Sequence, residues 1–155
     1  MASFMYGLAA ELIVEQALDY LSATVKTGLS NGTHVPDKDD QFLDDVGADD
    51  FIDGELSGTG YTSGFGNSGR GADDGQLLSK TVVYDVGNTR VELDAANTVF
   101  SAIDAGLIVQ VTLLIEITND AASVVLANVD VADTVTNGGD ITIQWDAEGI
   151  IQLTV

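Results

Sequence analysis

The sequence predicts a mainly β protein: an antiparallel sandwich or small barrel with a short N-terminal helix and a long Gly/Asp-rich loop. Three observations predict it. The second half of the chain is a succession of period-two apolar stretches. Turn residues punctuate those stretches, and no helical pattern separates them, which argues against a βαβ sheet. The middle of the chain, by contrast, is dominated by aspartate, glycine and serine and lacks either periodicity.

The elements follow in order. Leu8, Ala9, Leu12, Ile13, Ala17 and Leu21 share one side of a helical repeat, so a short helix is expected over Leu8–Leu21. Thr24 to Leu29 reads as a strand. Asn31 to Asp37 contains Asn-Gly and the sole proline, Pro36, and reads as a turn. Asp37 to Glu55 carries nine carboxylates, with Phe42, Leu43, Val46, Phe51 and Ile52 between them, enough for one short packed helix or turn. Gly54 to Gly75 reads as a loop too long to be idle, and one use for such a loop is to reach a neighbouring subunit.

The β core is expected over residues 80–155. Val82, Tyr84 and Val86 alternate with Thr81, Val83 and Asp85. Gly87-Asn88 reads as a two-residue hairpin turn, and Val91 and Leu93 lie on the return strand. Leu107, Val109, Val111, Leu113, Ile115 and Ile117 form one long apolar face opposite Gln110, Thr112 and Glu116. Val125, Ala127, Val129 and Val131 form a second face, and Ile141, Ile143 and Trp145 a third. After Asp146–Gly149 the chain turns into Ile151, Leu153 and Val155. At 155 residues this makes one domain: an N-terminal arm and helix over 1–21, an acidic and Gly-rich region over 37–75, and the core.

Charge narrows function. Twenty-five acids face five bases, for a formal net charge of -20, and no Lys or Arg follows Arg90. Nucleic-acid binding needs clustered cations to displace counterions from phosphate, so nucleic acid is not an expected partner. Anionic membrane surfaces are disfavoured on the same ground, and no apolar run is long enough to span a bilayer. The first residues carry no positive n-region, so no secretory signal is expected. The absence of cysteine excludes disulfides and thiol chemistry.

Candidate chemical motifs are weak. Gly64, Gly66 and Gly69 satisfy G-x-G-x-x-G, but in a loop rather than between a strand and a helix. His34, the single histidine, stands beside Pro36 in a predicted turn and reads as a surface or loop residue without a nucleophile to activate. The acidic stretch offers oxygens to Ca²⁺, yet the EF-hand pattern fails at its third position, where Phe51 stands. Asn31-Gly-Thr33 is a formal glycosylation sequon that reads as a turn. The chain is therefore expected not to be an enzyme, and no catalytic, cofactor-binding or metal-ligating residue is assigned. Exposed apolar residues of the arm and loop are the expected inter-subunit contacts: Phe4, Met5, Tyr6, Leu8, Tyr61 and Phe65.

Several segments, in this order and spacing, resemble a group of small tailed-phage and prophage virion proteins. They are VPDKD (Val35–Asp39), FLDDV (Phe42–Val46), ELSGTGYT (Glu55–Thr62), KTVV (Lys80–Val83), LDA (Leu93–Ala95) and IQWDAEGI (Ile143–Ile150). The resemblance runs from about Ala23 to Val155. It departs around Gly69–Gln76, where acidic Gly-rich residues replace a shorter, more apolar turn. It implies a capsid decoration (cement) protein on the outer capsid surface, with the major capsid protein as partner and a homotrimer as its assembly. A tail or head–tail connector component is the alternative, and a Ca²⁺-binding β interaction module a second. No catalytic residues carry over.

Overall fold

The computed structural model describes residues 4–44, 50–65, 70 and 74–154. The chain is mainly β; the described residues form three antiparallel sheets with no closed barrel among them. The four-stranded sheet runs β1 (Phe4–Met5), β7 (Val124–Val135), β6 (Leu107–Ile115), β2 (Val25–Ser30). The three-stranded sheet runs β3 (Thr81–Asp85), β4 (Arg90–Asp94), β9 (Ile151–Thr154). A two-stranded sheet joins β5 (Thr98–Ile103) to β8 (Gly139–Ile143). Each sheet ends in distinct edge strands, which leaves the barrel alternative without its closing ladder.

The alternating patterns become strands, but burial exceeds what alternation implies. In β6 both faces are covered from Val111 to Ile115, because β2 and β7 flank it and other segments pack on both sides. The residues on its expected polar face are therefore internal. Gln110 Nε2 donates to the His34 carbonyl at 2.7 Å, and Thr112 Oγ1 lies 3.4 Å from Asn128 Oδ1, as buried polar groups require. Strand β5 was not expected from the sequence. Its pattern buries Thr98, Phe100 and Ile103, with a register shift between the last two, so the period of two breaks inside the strand.

Three expectations are corrected. Helix α1 spans Gly7–Val14 rather than reaching Leu21. Gln16 takes a positive φ of 61°, and the N–H groups of Ala17 and Leu18 both donate to the Leu12 carbonyl, so the chain leaves the helix axis while its apolar spacing continues. The β3–β4 hairpin closes through four residues, Val86 to Thr89, rather than Gly87-Asn88 alone. The Asp85 carboxylate accepts from the N–H groups of Gly87 (2.8 Å) and Asn88 (3.3 Å), an Asx arrangement that sets the longer turn.

The third correction concerns the Gly-rich segment, which is not a free loop. Its two ends are stitched to the outer edge of β2. Asn31 donates to the Gly54 carbonyl (2.9 Å) and Leu56 to Leu29 (2.9 Å). Thr27 donates to Gly75 (2.8 Å) and Leu77 to Val25 (2.9 Å). An edge that would otherwise invite pairing is thereby covered. The acidic stretch is tied down similarly: Leu43 donates to the Ser123 carbonyl and Val125 to Gln41. It contains the short helix α2 (Phe51–Gly54). The Phe51 ring lies over Gly28, where a Cβ would stand 2.4 Å from the ring edge, so only glycine lets α2 seat on β2. One core unites these parts, including Leu29, Phe51, Tyr61, Phe100, Leu113 and Leu126, with Trp145 only 8% exposed at its margin.

Candidate functional site

The densest electrostatic feature is built around Arg70, whose side chain is wholly buried. Its Nε lies 3.1 Å from Glu55 Oε1, its Nη1 3.3 Å from Glu116 Oε1 and its Nη2 2.9 Å from Asp120 Oδ1. Glu116 just follows β6, and Asp120 opens a single 3₁₀ turn (Asp120–Ala122). Lys26 of β2 adds a second cation 3.5 Å from Glu116. The Arg70 guanidinium also lies 5.8 Å from the Phe51 ring centroid. Glu55 accepts further bonds from the Tyr61 hydroxyl (3.0 Å) and the Gly64 N–H (3.1 Å). The same hydroxyl accepts from the Leu29 N–H at 2.9 Å.

Desolvation raises the Glu55 carboxyl above its ordinary range even though Arg70 pulls it down, and burial drives the Tyr61 phenol well above its ordinary value. Three acids and two bases leave this centre one negative charge in excess. It fastens the Gly-rich segment to the β2–β6 ladder through ion pairs made inside the chain. The arrangement is a clamp. Sequence reasoning passed over Arg70 as one residue of a loop. The signal was present: a lone base in a Gly-rich stretch of a chain with 25 acids.

The predicted contact residues separate into two groups. Tyr6 and Tyr61 have almost no exposed surface and belong to the chain's own core, so neither is available to a partner. Tyr6 is drawn in by the pairing of β1 with β7, continued by its N–H donating to the Leu126 carbonyl. Met5 and Leu8 are half-buried against the same core, and Phe4 sits in β1 opposite Asn128. Phe65 stays 42% exposed. His34 is also corrected. It is buried, edge-on to Phe51 with ring centroids 5.9 Å apart, rather than lying at the surface.

A run of exposed apolar residues lies elsewhere, on the β3–β4 hairpin. Val82, Val83 and Tyr84 are 44%, 54% and 52% exposed, and Val86 at the turn is 78% exposed. Val82 and Tyr84 point to one face and Val83 to the other, so both faces of β3 are open. No ladder forms on its outer edge among the described residues. The hairpin is anchored at its base, where the Tyr20 hydroxyl donates to the Asp94 carbonyl at 3.1 Å and Lys80 donates to the Ala23 carbonyl.

No family model, curated protein or solved structure matches the chain. Function must therefore be argued from this geometry.

Two further features are candidates for ligand chemistry. Among the described residues, Asp85, Glu92 and Glu148 are the carboxylates close enough together to share a cation. Arg90 already fills that position, 2.8 Å from Glu92 and in contact with Glu148 and Asp85. Residues 45–49 of the acidic stretch, like Gly66 and Gly69 of the glycine motif, lie outside the described residues. A groove of about 1030 Å³ opens between β7, β8 and β9, lined in part by Asn128, Asp130, Asp140, Trp145 and Asp146. Asp140 and Asp146 are committed to backbone N–H groups of Ala102 and Glu148. The lining contains no histidine, lysine or arginine.

Proposed function

We propose that this protein is a virion structural component, a decoration (cement) protein that binds the outer surface of a capsid and stabilises the shell. The observation that carries the reading is the β3–β4 hairpin: three large apolar side chains held in solvent on the two faces of an edge strand, and a fourth, Val86, at its turn. Patches of this kind on otherwise polar molecules mark interaction surfaces. The remainder of the molecule suits attachment to a shell. A net charge of -20 keeps free copies soluble and away from nucleic acid. The Arg70 clamp and the edge-covering segments tie the Gly-rich segment to the sheet, while the hairpin keeps its apolar side chains in solvent. The sequence resemblance to small tailed-phage virion proteins points the same way, and names the major capsid protein as partner.

Quantitative mass spectrometry of purified virions from a phage that encodes this chain tests the reading. A copy number comparable to that of the major capsid protein is expected. A ring-like or smaller number would instead favour a connector or tail component, and absence from the particle would overturn the proposal. The homotrimer that the same reading implies is checked separately, by sedimentation of the purified chain.

A further inference from the structure

We infer that the outer edge of β3 is a strand-docking site, and that its occupant is a partner protein presenting an extended apolar segment flanked by lysine or arginine. The inference deepens the capsid-surface reading and rests on it only for the partner's identity.

Two observations choose the mode of binding. The apolar side chains of β3 emerge on both faces, Val82 and Tyr84 on one and Val83 on the other. A flat partner surface would cover one face and leave the other wet. A strand added to the edge sets cross-strand neighbours against both faces at once and satisfies the outward-facing backbone groups. The edge also lacks the usual protections. Thr81–Asp85 contains no lysine, proline or bulge, although it stands at the end of its sheet. The β2 edge of the four-stranded sheet, by contrast, is covered by Gly54–Leu56 and Gly75–Leu77. Unlike the edge strands β5, β8 and β9, each of which buries at least one residue, β3 buries none, so its edge carries apolar side chains that remain in solvent.

Charge chooses the occupant. Asp85, Glu92 and Asp94 lie in the hairpin strands, and Glu148 reaches Arg90 beside them. The two bases there are already engaged: Arg90 lies among Asp85, Glu92 and Glu148, and Lys80 is bonded to the Ala23 carbonyl with its Nζ 5.5 Å from the Tyr20 ring. A second copy of this chain would bring another acidic rim and another net charge of -20 to the same place. A strand with cationic flanks meets complementary charge at both ends and apolar contact in the middle.

The test uses the full chain and two synthetic peptides. Each has a Val-Thr-Val-Thr-Val centre, flanked by lysines in one and by glutamates in the other. The lysine-flanked peptide is expected to shift the backbone amide resonances of Thr81–Asp85 and to bind at least about tenfold more tightly than the glutamate-flanked one. Val83→Lys, which places a like charge on the edge, is expected to remove that advantage. Val35→Lys, at an exposed loop position with the same charge change, is expected to keep it. Equal loss in both variants, or shifts scattered over the acidic surface, would mean non-specific ionic attraction and would overturn the site. So would failure to bind either peptide. A dimer in sedimentation that Val83→Lys dissolves would replace the heterologous partner with a second copy. If the edge binds as expected but the chain is absent from virions, the capsid reading falls and the docking site stands.

Discussion

At the scale of single residues, Arg70 does the most to decide the structure. Pairing two bases with three acids away from water is costly, and such a cluster is kept only while its geometry is complete. Arg70→Met would leave Glu55, Glu116 and Asp120 with only Lys26, which meets Glu116, to compensate. We expect a loss of about 3–5 kcal/mol in urea unfolding, the range seen when one partner of a buried ion pair is removed. Gly75 adds a steric condition, because a Cβ there would stand 1.9 Å from the Arg70 carbonyl oxygen. Glu55 gives the centre a pH signature. Its carboxyl is raised in the folded chain, so the folded state holds the proton more tightly than the unfolded one. The stability it contributes is fully present below the ordinary glutamate value and is lost as pH rises through the raised value. Unfolding free energies measured from pH 4 to pH 7 should therefore fall less steeply with rising pH in Glu55→Gln than in the parent chain, and parallel slopes would contradict the assignment.

At the scale of elements, the N-terminal segment is structural. An apolar arm awaiting a partner would be dispensable for folding, but β1 adds a strand to the four-stranded sheet and delivers Tyr6 to the core. Deleting residues 1–7 is expected to cost about 3–5 kcal/mol, the range for losing a buried aromatic, and to lower the thermal midpoint accordingly. Trp145, between β8 and β9, carries a comparable load. Its backbone N–H is held by Asn97 Oδ1 at 3.0 Å and its ring is nearly covered, so Trp145→Ala should lose a similar amount in urea unfolding. The β3–β4 hairpin behaves differently. Its tip residues add little to the core, so Val83→Lys should leave the thermal midpoint nearly unchanged.

At the scale of the whole molecule, self-repulsion is the governing term. Lys26, Arg70, Lys80 and Arg90 are engaged inside the chain, and with 25 acids the surface is dominated by carboxylates. Raising NaCl from low to physiological concentration screens that repulsion and should raise the thermal midpoint. The same surface should not retard duplex DNA in a gel shift at physiological salt. Salt-sensitive retardation would show a cationic patch that the charge distribution gives no reason to expect.

Apart from β5, the strands from Thr81 onward were legible in the sequence because alternation is a local property: the side-chain period of two appears in the residues themselves. The strand β2 and the start of helix α1 were legible for similar reasons, and the charge excess needs only counting. What tertiary structure alone decided depends on residues far apart in the chain. Strand β5 hides behind a register shift that breaks its own pattern. The end of α1 was invisible because Ala17 and Leu21 keep helical spacing after the backbone has turned at Gln16. The Gly-rich segment looked free because its restraints come from β2, from Glu116 and from Asp120, none of them its neighbours in sequence. Exposure was the least legible property of all. Tyr6 and Tyr61 are buried while Val83 and Tyr84 are not, although all are large and apolar in character. Composition states what a residue would prefer, and only the packing of the other segments determines which of them is granted it.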